Sequence, residues 1–412
     1  MKLNNIYEVT IDNEDDIGNG VTRIDNLVVF VPYTLSGEVL KIKITSINKR
    51  FATGKVIEFI SKSKNRCEVK CSSYNECGGC NFLHIDLENE KLKKINYINK
   101  LFNTNINEVL TNNEYNYRNK ATFHIKDNKI GYYSEKSNDI VEFDNCLLLD
   151  NRINDIYNYL KGTDLSGLFE VIIRVTNKDT MIIFKGEKYD INTLINRFNI
   201  TSIYLNDKLI YGKDYIIEEI NNIKYSIYPE SFFQVNPLNM KIMYDKAKEY
   251  AFCGNNLLDL YCGTGTIGIY LKDNFKHIDG IEINKDSIRN ANINKKLNNI
   301  KNIDFVCGDA SIAKNNNYDV IVVDPPRSGL SMKVIDFLNN SSASKIVYIS
   351  CNPKTLKRDL ELLNRYNMKK IEMINMFNKT KHIECITLFE RKWFLIFIAY
   401  KTIVCYNLIV LI

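Results

Sequence analysis

Asp259-Leu260-Tyr261-Cys262-Gly263-Thr264-Gly265-Thr266-Ile267-Gly268 is the stretch on which the reading of this chain turns. It closes an apolar run at 257–261 and opens a helical pattern, and Gly263 and Gly265 let the backbone turn sharply and approach a ligand. From here apolar runs at 257–261, 277–283, 303–306, 320–324 and 345–349 alternate with helical segments. Such a βα alternation predicts an α/β domain: an open, Rossmann-like parallel sheet with helices on both faces. Ligands of such sheets bind beyond the carboxyl ends of the strands. Successive strand ends here carry Glu282, Asp309, Asp324 and Cys351.

A Gly-rich strand-to-helix turn serves dinucleotide and S-adenosylmethionine sites alike. Glu282, about 20 residues beyond the loop, is placed to accept both hydroxyls of a ribose. Asp309 ends the third strand, where a methyltransferase would hold the adenine amino group, so the pair favours S-adenosylmethionine. The fourth strand runs into Asp324-Pro325-Pro326-Arg327 and the fifth into Ser350-Cys351-Asn352-Pro353. A cysteine at a strand end beside a cofactor is a candidate nucleophile, whereas one in mid-strand is only a small hydrophobe. Methylation at C5 of a pyrimidine would need it. C5 of uracil is a poor nucleophile until a thiolate adds to C6 and makes an enolate. A base must later remove the C5 proton. Lys381-His382-Ile383-Glu384-Cys385, before a strand at 386–390, offers Glu384 for that task; His382 reads equally well as a structural hydrogen-bonder. A free thiol with a pKa near ~8.5 is mostly protonated at neutral pH, so local activation is expected.

The remaining sequence sets the domain plan. With 412 residues, the chain has room for two to four domains. Its 45% hydrophobic and 25% charged residues exclude a largely disordered chain. A net charge of +6 permits a polyanionic partner without demanding one. Eleven cysteines, an odd number, with no secretory pattern at the N-terminus point to a cytoplasmic protein that uses cysteine for metal or chemistry. Only four histidines are present, which excludes a His-rich metal site. Residues 1–60 read as a small β-barrel and 61–230 as a central α+β domain. That domain starts with a cysteine-rich loop and a helix over 86–102 with Leu87, Leu92, Ile95 and Ile98 on one face. Residues 231–392 form the Rossmann-like domain. Cys71, Cys77 and Cys80 lie on one short loop, with Cys146 as a distant fourth. Four thiolates hold either zinc or a cubane cluster, and spacing leaves both open.

Taken together, Ser231-Phe232-Phe233-Gln234-Val235-Asn236, the Gly-rich loop, Glu282, the Asp324–Arg327 turn, Ser350-Cys351-Asn352-Pro353 with Thr355 and Arg358-Asp359, and His382-Ile383-Glu384 resemble the S-adenosylmethionine-dependent RNA uracil-5-methyltransferases. The resemblance implies that Gln234, Tyr261, Glu282 and Asp324 contact the cofactor, that Cys351 is the nucleophile and that Glu384 is the proton acceptor. Tyr117-Arg118-Asn119-Lys120 also looks like a family motif, with no role assigned. Cys71, Cys77, Cys80 and Cys146 resemble the 4Fe–4S ligand set of the 23S ribosomal RNA branch, in which the position of Cys67 is not a ligand. Residues 1–60 resemble an OB-like TRAM barrel that binds RNA. The implied protein makes 5-methyluridine in 23S rRNA, with ribosomal RNA as its partner, no membrane and no obligatory protein partner. The alternative is the tRNA T-loop branch, which looks different in lacking barrel and cluster cysteines. Amino-group methyltransferases usually follow the two prolines with an aromatic residue, where this chain has Arg327. The pattern covers about residues 6–392. The apolar stretch 393–412 has the length of a membrane helix but reads as an extension outside the family pattern.

Overall fold

The computed structural model describes residues 1–15, 18–135, 137–314 and 317–392; the stretch 393–412 lies outside the described residues. The Gly-rich loop belongs to a seven-stranded sheet built from β1 (Gly254–Leu260), β2 (Phe275–Glu282), β3 (Ile303–Cys307), β4 (Val320–Val323), β5 (Lys345–Ser350), β6 (Tyr366–Ile374) and β7 (Glu384–Arg391). Their spatial order is β3-β2-β1-β4-β5-β7-β6. The first five are parallel, as expected, and β7 runs antiparallel to both β5 and β6.

Alternate residues feed two cores. Leu257, Val320, Val322, Val347 and Ile349 pack on one face, and Leu258, Leu260, Ile321, Val323, Ile346 and Tyr348 on the other. All four residues of β4 are buried, as befits a central strand covered by helices on both sides. The edge strand β6 was not legible as a strand. Lys369 and Lys370 interrupt its apolar pattern at a register shift, and charge at such an edge discourages pairing with another chain.

The first of these cores extends beyond this sheet. It includes Met181, Ile183 and Tyr204 of a second sheet, and Ile216, Tyr225 and Ile227 of the hairpin Ile216–Ile220/Ile223–Ile227. That second sheet has seven strands, among them Lys120–Lys126, Leu168–Val175 and Thr180–Gly186, and buries its other face under the helix Asn151–Lys161. The N-terminal residues form a six-stranded sheet that wraps Val29, Val31, Leu40, Ile42, Ile44 and Ala52 into a core of its own.

The helix Leu87–Phe102 forms where the periodicity predicted it, capped by Asp86, whose carboxylate accepts the Asn89 N–H. Its inner face differs from the expectation. Leu92 is 52% exposed, and the buried series is Glu90, Lys94, Ile98 and Phe102. Two charged residues therefore head the buried stripe. Apolar periodicity could not reveal them, because their partners lie almost 300 residues further along the chain.

Candidate active site

Sheet register brings the predicted nucleophile and base together. In the antiparallel pairing of β5 with β7, Lys345 faces Glu390 and Ser350 faces Cys385. Cys351 and Glu384 flank that last pair on their two strands, and they lie close enough for Glu384 to raise the Cys351 thiol. The parallel pairing of β4 with β5 puts Val323 beside Tyr348, so Asp324 emerges into the same mouth.

The turns around these residues are tied to each other. Asn352 caps the helix Pro353–Leu362, accepting the Lys354 N–H, while its side-chain amide donates to the Arg327 carbonyl at 3.0 Å. Thr355 Oγ1 donates to the same carbonyl at 3.3 Å. Behind them lies Asp359, fully buried, whose carboxylate accepts from Tyr348 Oη at 2.7 Å, from the Leu330 N–H at 2.8 Å and from the Arg358 guanidinium at 2.6 Å. Arg358 in turn donates to the carbonyls of Ser328 and Leu330. Gly329 has φ +77°, and a Cβ there would lie 2.6 Å from Arg358 and Asp359. The Asp324–Leu330 turn is thus clamped onto the turn that carries Cys351.

The mouth holds two carboxyls and a thiol against one nearby guanidinium. Burial, and then Asp324, pushes Glu384 up to about 8 despite Arg327. Burial alone pushes Asp324 up to about 7. Burial also raises the Cys351 thiol, with Glu384 and Asp324 adding to the effect and Arg327 opposing it. Near neutrality the ligand-free site favours the protonated forms of Glu384 and Cys351, contrary to the thiol activation expected from the sequence, and a cation entering it would favour the ionised carboxylates. His382 is driven down to about 4 by burial and by Arg327, and its ring stands edge-on to Phe377 at 5.6 Å.

The cofactor loop is built on strained backbone. Tyr261, Gly263 and Gly265 all have positive φ, and a Cβ on Gly265 would lie 2.5 Å from the Phe305 ring. Asp259, fully buried, accepts the Gly268 N–H at 2.9 Å and fixes the start of the following helix. Glu282 stands beside the loop, accepting the N–H of Gly263 at 3.2 Å and of Asn284 at 2.8 Å. Asp309 is exposed and caps the turn Ala310–Ile312 through the Ser311 N–H. Tyr261 packs against the apolar core below the loop. Gln234 lies half-buried in a segment anchored by Val235, whose carbonyl accepts the Asn119 N–H, and by Asn236, whose amide donates to the Met376 carbonyl. The Tyr117–Lys120 motif thereby gains a role. Asn119 holds the Gln234 segment, and Tyr117 Oη donates to the Asn378 carbonyl in the segment leading to Glu384.

Cys71, Cys77, Cys80 and Cys146 line one cavity of about 270 Å³, together with Arg118, Tyr132, Phe143 and Leu148. Asn154 grips Cys146 on both sides, accepting from its N–H and donating to its carbonyl. Burial raises the Cys80 thiol, and Cys146, Cys77 and Cys71 raise it further, as befits neighbouring sulfurs. Among the described residues, no group of three or more His, Cys, Asp or Glu converges tightly enough to hold one metal ion. The thiols ring a space instead of meeting at a point. Cys67 lies outside this cavity and lines a neighbouring groove.

The tRNA (uracil-5-)-methyltransferase family description matches residues 184–313 and 309–392, and the TRAM domain description matches residues 2–57. The chain belongs to the tRNA (uracil-5-)-methyltransferase family. An uncharacterized RNA methyltransferase of Clostridium acetobutylicum is 34% identical over 95% of this chain and 98% of its own length. One of Staphylococcus aureus is 34% identical over 94% and 99%. Among solved structures, the Pyrococcus abyssi tRNA (uracil-54, C5)-methyltransferase in complex with S-adenosyl-L-homocysteine is 25% identical with a TM-score of 0.79, covering 93% of this chain and 99% of that one. The chain is an RNA methyltransferase with a TRAM domain at its N-terminus. The share of it left unmatched by the Pyrococcus enzyme is smaller than residues 1–60, so that tRNA enzyme also spans barrel residues. Among the described residues, no helix is long and apolar enough to cross a membrane.

The raised carboxyls make the ligand-free protein pH-sensitive in a definite direction. Glu384 and Asp324 bind protons more tightly folded than unfolded, so their contribution is complete below about pH 4 and is lost as pH rises through about 7 to 8. The Tm of the free enzyme is expected to fall between pH 6 and 9, and to fall less in Glu384→Gln; equal slopes in a thermal melt series would contradict the assignment.

Proposed function

We propose that this chain transfers a methyl group from S-adenosylmethionine to C5 of uridine in RNA, through a covalent bond between Cys351 and C6, giving 5-methyluridine. The closeness of Cys351 and Glu384 at the end of the β5–β7 pairing carries this reading. S-adenosylmethionine, when bound, supplies an electrophilic methyl group on a sulfonium. Tyr261 and Glu282 belong to or flank the Gly-rich loop, Asp324 lies in the mouth, and Gln234 is the further residue that the resemblance assigns to this ligand. Glu282 is turned toward the loop by two backbone N–H groups, and Asp324 offers a buried carboxylate to a cationic sulfur. Cys351, as thiolate, adds to C6 and leaves the electron pair on the C4–C5 enolate. C5 would then bond to the methyl carbon while the donor sulfur keeps the electron pair of the broken carbon–sulfur bond. Glu384 accepts the proton from C5, the C5–C6 double bond re-forms and the Cys351 sulfur leaves with its electron pair. A carboxyl with a pKa raised by burial is a stronger base than an exposed one, which suits it to removing a carbon-bound proton.

The RNA we infer is 23S ribosomal RNA, and Cys71, Cys77, Cys80 and Cys146 would hold a 4Fe–4S cluster. Four half-buried or buried thiols around one apolar-walled cavity fit a body larger than a single ion. The resemblance of that ligand set to the ribosomal branch supports the substrate. The second reading is a tRNA substrate, favoured by the fold shared with the Pyrococcus enzyme. Mapping 5-methyluridine in ribosomal and transfer RNA from cells with and without this gene decides between them: loss from 23S rRNA alone supports the first reading, and loss from tRNA alone establishes the second.

The chemistry is checked on the protein itself. Cys351→Ala should bind RNA yet give no product, a loss of at least ~10³-fold as expected when a covalent nucleophile is removed. Glu384→Gln should methylate once and stall as a denaturation-resistant RNA adduct that carries the new methyl group. Normal turnover by Cys351→Ala would end the thiolate mechanism. Anaerobically purified protein should be brown, with about four irons per chain, and Cys146→Ser should lose that iron; stoichiometric zinc in a colourless protein would refute the cluster.

A further inference from the structure

The segment between β6 and β7, residues 375–383, delivers Glu384 to the mouth and is held in an unusual way. Asn375, Asn378, Lys379 and Thr380 are all at most 5% exposed. Lys379 combines a buried ammonium with a left-handed backbone at φ +62°, two unfavourable features in one residue. Every polar group on it is satisfied by residues that precede β1. Its ammonium donates to the Ile85 carbonyl at 2.8 Å and pairs with Glu114 at 2.6 Å. Its N–H lies 3.0 and 3.1 Å from the two carboxylate oxygens of Glu90. Its carbonyl accepts the N–H groups of Asn81 at 2.8 Å and Phe82 at 3.1 Å.

Glu90 is the hub. Fully buried, it also accepts from Lys94 at 2.8 Å and from the Asn375 amide at 3.0 Å, and Lys94 closes the ring on Asn375 Oδ1 at 2.7 Å. Asn81, the residue directly after Cys80, adds a side-chain contact: its Oδ1 accepts the Lys381 N–H at 3.1 Å, three residues before Glu384. The cysteine loop and the segment carrying the base thus share one hydrogen-bonded seam. None of Glu90, Lys379 or Asn81 has a part in the chemistry assigned above, and an unpaired charge at such a site would be strongly unfavourable.

We propose that Glu90, Lys379 and Asn81 are positioning residues for proton removal: they lock residues 375–383 to the loop after Cys80 and so fix Glu384 close to Cys351. The proposal rests on Glu384 being the acceptor of the C5 proton. A misplaced base slows the last step of the reaction while leaving C6 attack and methyl transfer to Cys351 and the cofactor. Displacement by about 1 Å is enough to slow such a step by up to ~100-fold.

The test uses the full chain in single-turnover reactions with RNA. Denaturation-resistant adduct and released methylated RNA are measured separately. Asn81→Ala removes one solvent-exposed side-chain bond and keeps the backbone seam, so it is the variant least able to unfold the protein; Lys379→Met is the stronger perturbation. Both should form methylated adduct at the rate of the unchanged enzyme and release it roughly 10- to 100-fold more slowly. Asn81→Asp, which keeps an acceptor for the Lys381 N–H, should release at the normal rate. Normal release by a folded Asn81→Ala and Lys379→Met would overturn the proposal, as would a parallel decline of methyl transfer and release. The unchanged enzyme with RNA containing 5-fluorouridine is the control for the parent reading. An adduct there with normal release by the variants refutes positioning alone, and no adduct there refutes the covalent mechanism itself.

Discussion

The reversal of one strand governs this active site. Had β7 run parallel to β5, its amino end would lie at the opposite edge of the sheet from Cys351, because parallel strands place like ends together. Inserted antiparallel between β5 and β6, it starts where β5 finishes, and the residue pair Ser350–Cys385 leads straight to Cys351 and Glu384. The Gly-rich loop after β1 and the Pro-Pro turn after β4 open onto the same edge of the sheet. The clamp made by Arg358 and Asp359 then fixes how far the Asp324–Leu330 turn stands from the cysteine. Everything needed for a reaction between two ligands is assembled by register and by turns a few residues long.

The electrostatics follow from the same geometry. Strand ends in an open sheet are buried on their flanks by helices, so carboxyls placed there lose water before they gain a ligand. Asp259, Asp324 and Glu384 all rise to about 7 or 8 for that first reason, with neighbouring carboxylates as a second cause at Asp259 and Glu384. Arg327 is the nearby cation opposing this at Glu384 and Cys351. Such a site is ill-disposed to hold its own negative charge and is well matched to a positively charged ligand.

Much of this was legible in the sequence because it depends on local chemistry. The alternation of the apolar runs of β1 to β5 with helical segments, the glycines of the loop and the acidic strand ends announce an α/β sheet and its ligand edge. The apolar run of the strand Leu27–Val31 likewise announces the N-terminal barrel. What escaped notice depends on contacts made over long distances along the chain. Strand β6 hides behind Lys369 and Lys370, whose side chains are tolerated only because it lies at the sheet edge. Leu92 looked like core and faces water, while Glu90 and Lys94, which look like surface, are buried against Asn375 and Lys379. Arg358 and Asp359 were recognisable as a motif, but only the fold shows that they grip the Pro-Pro turn.

The apolar core that runs without a break from Met181 and Tyr204 into the methyltransferase sheet has a mechanical consequence. Two bodies that share a continuous oily interior cannot pivot without opening it to water, whereas separately cored units move freely about their linkers. These two sheets therefore keep one relative placement, and the barrel, though it has an interior of its own, is tied to the residues after it by the buried Arg66–Glu38 pair and by Leu35 packed with Phe82 and Ile85, so a substrate meets all three parts already assembled.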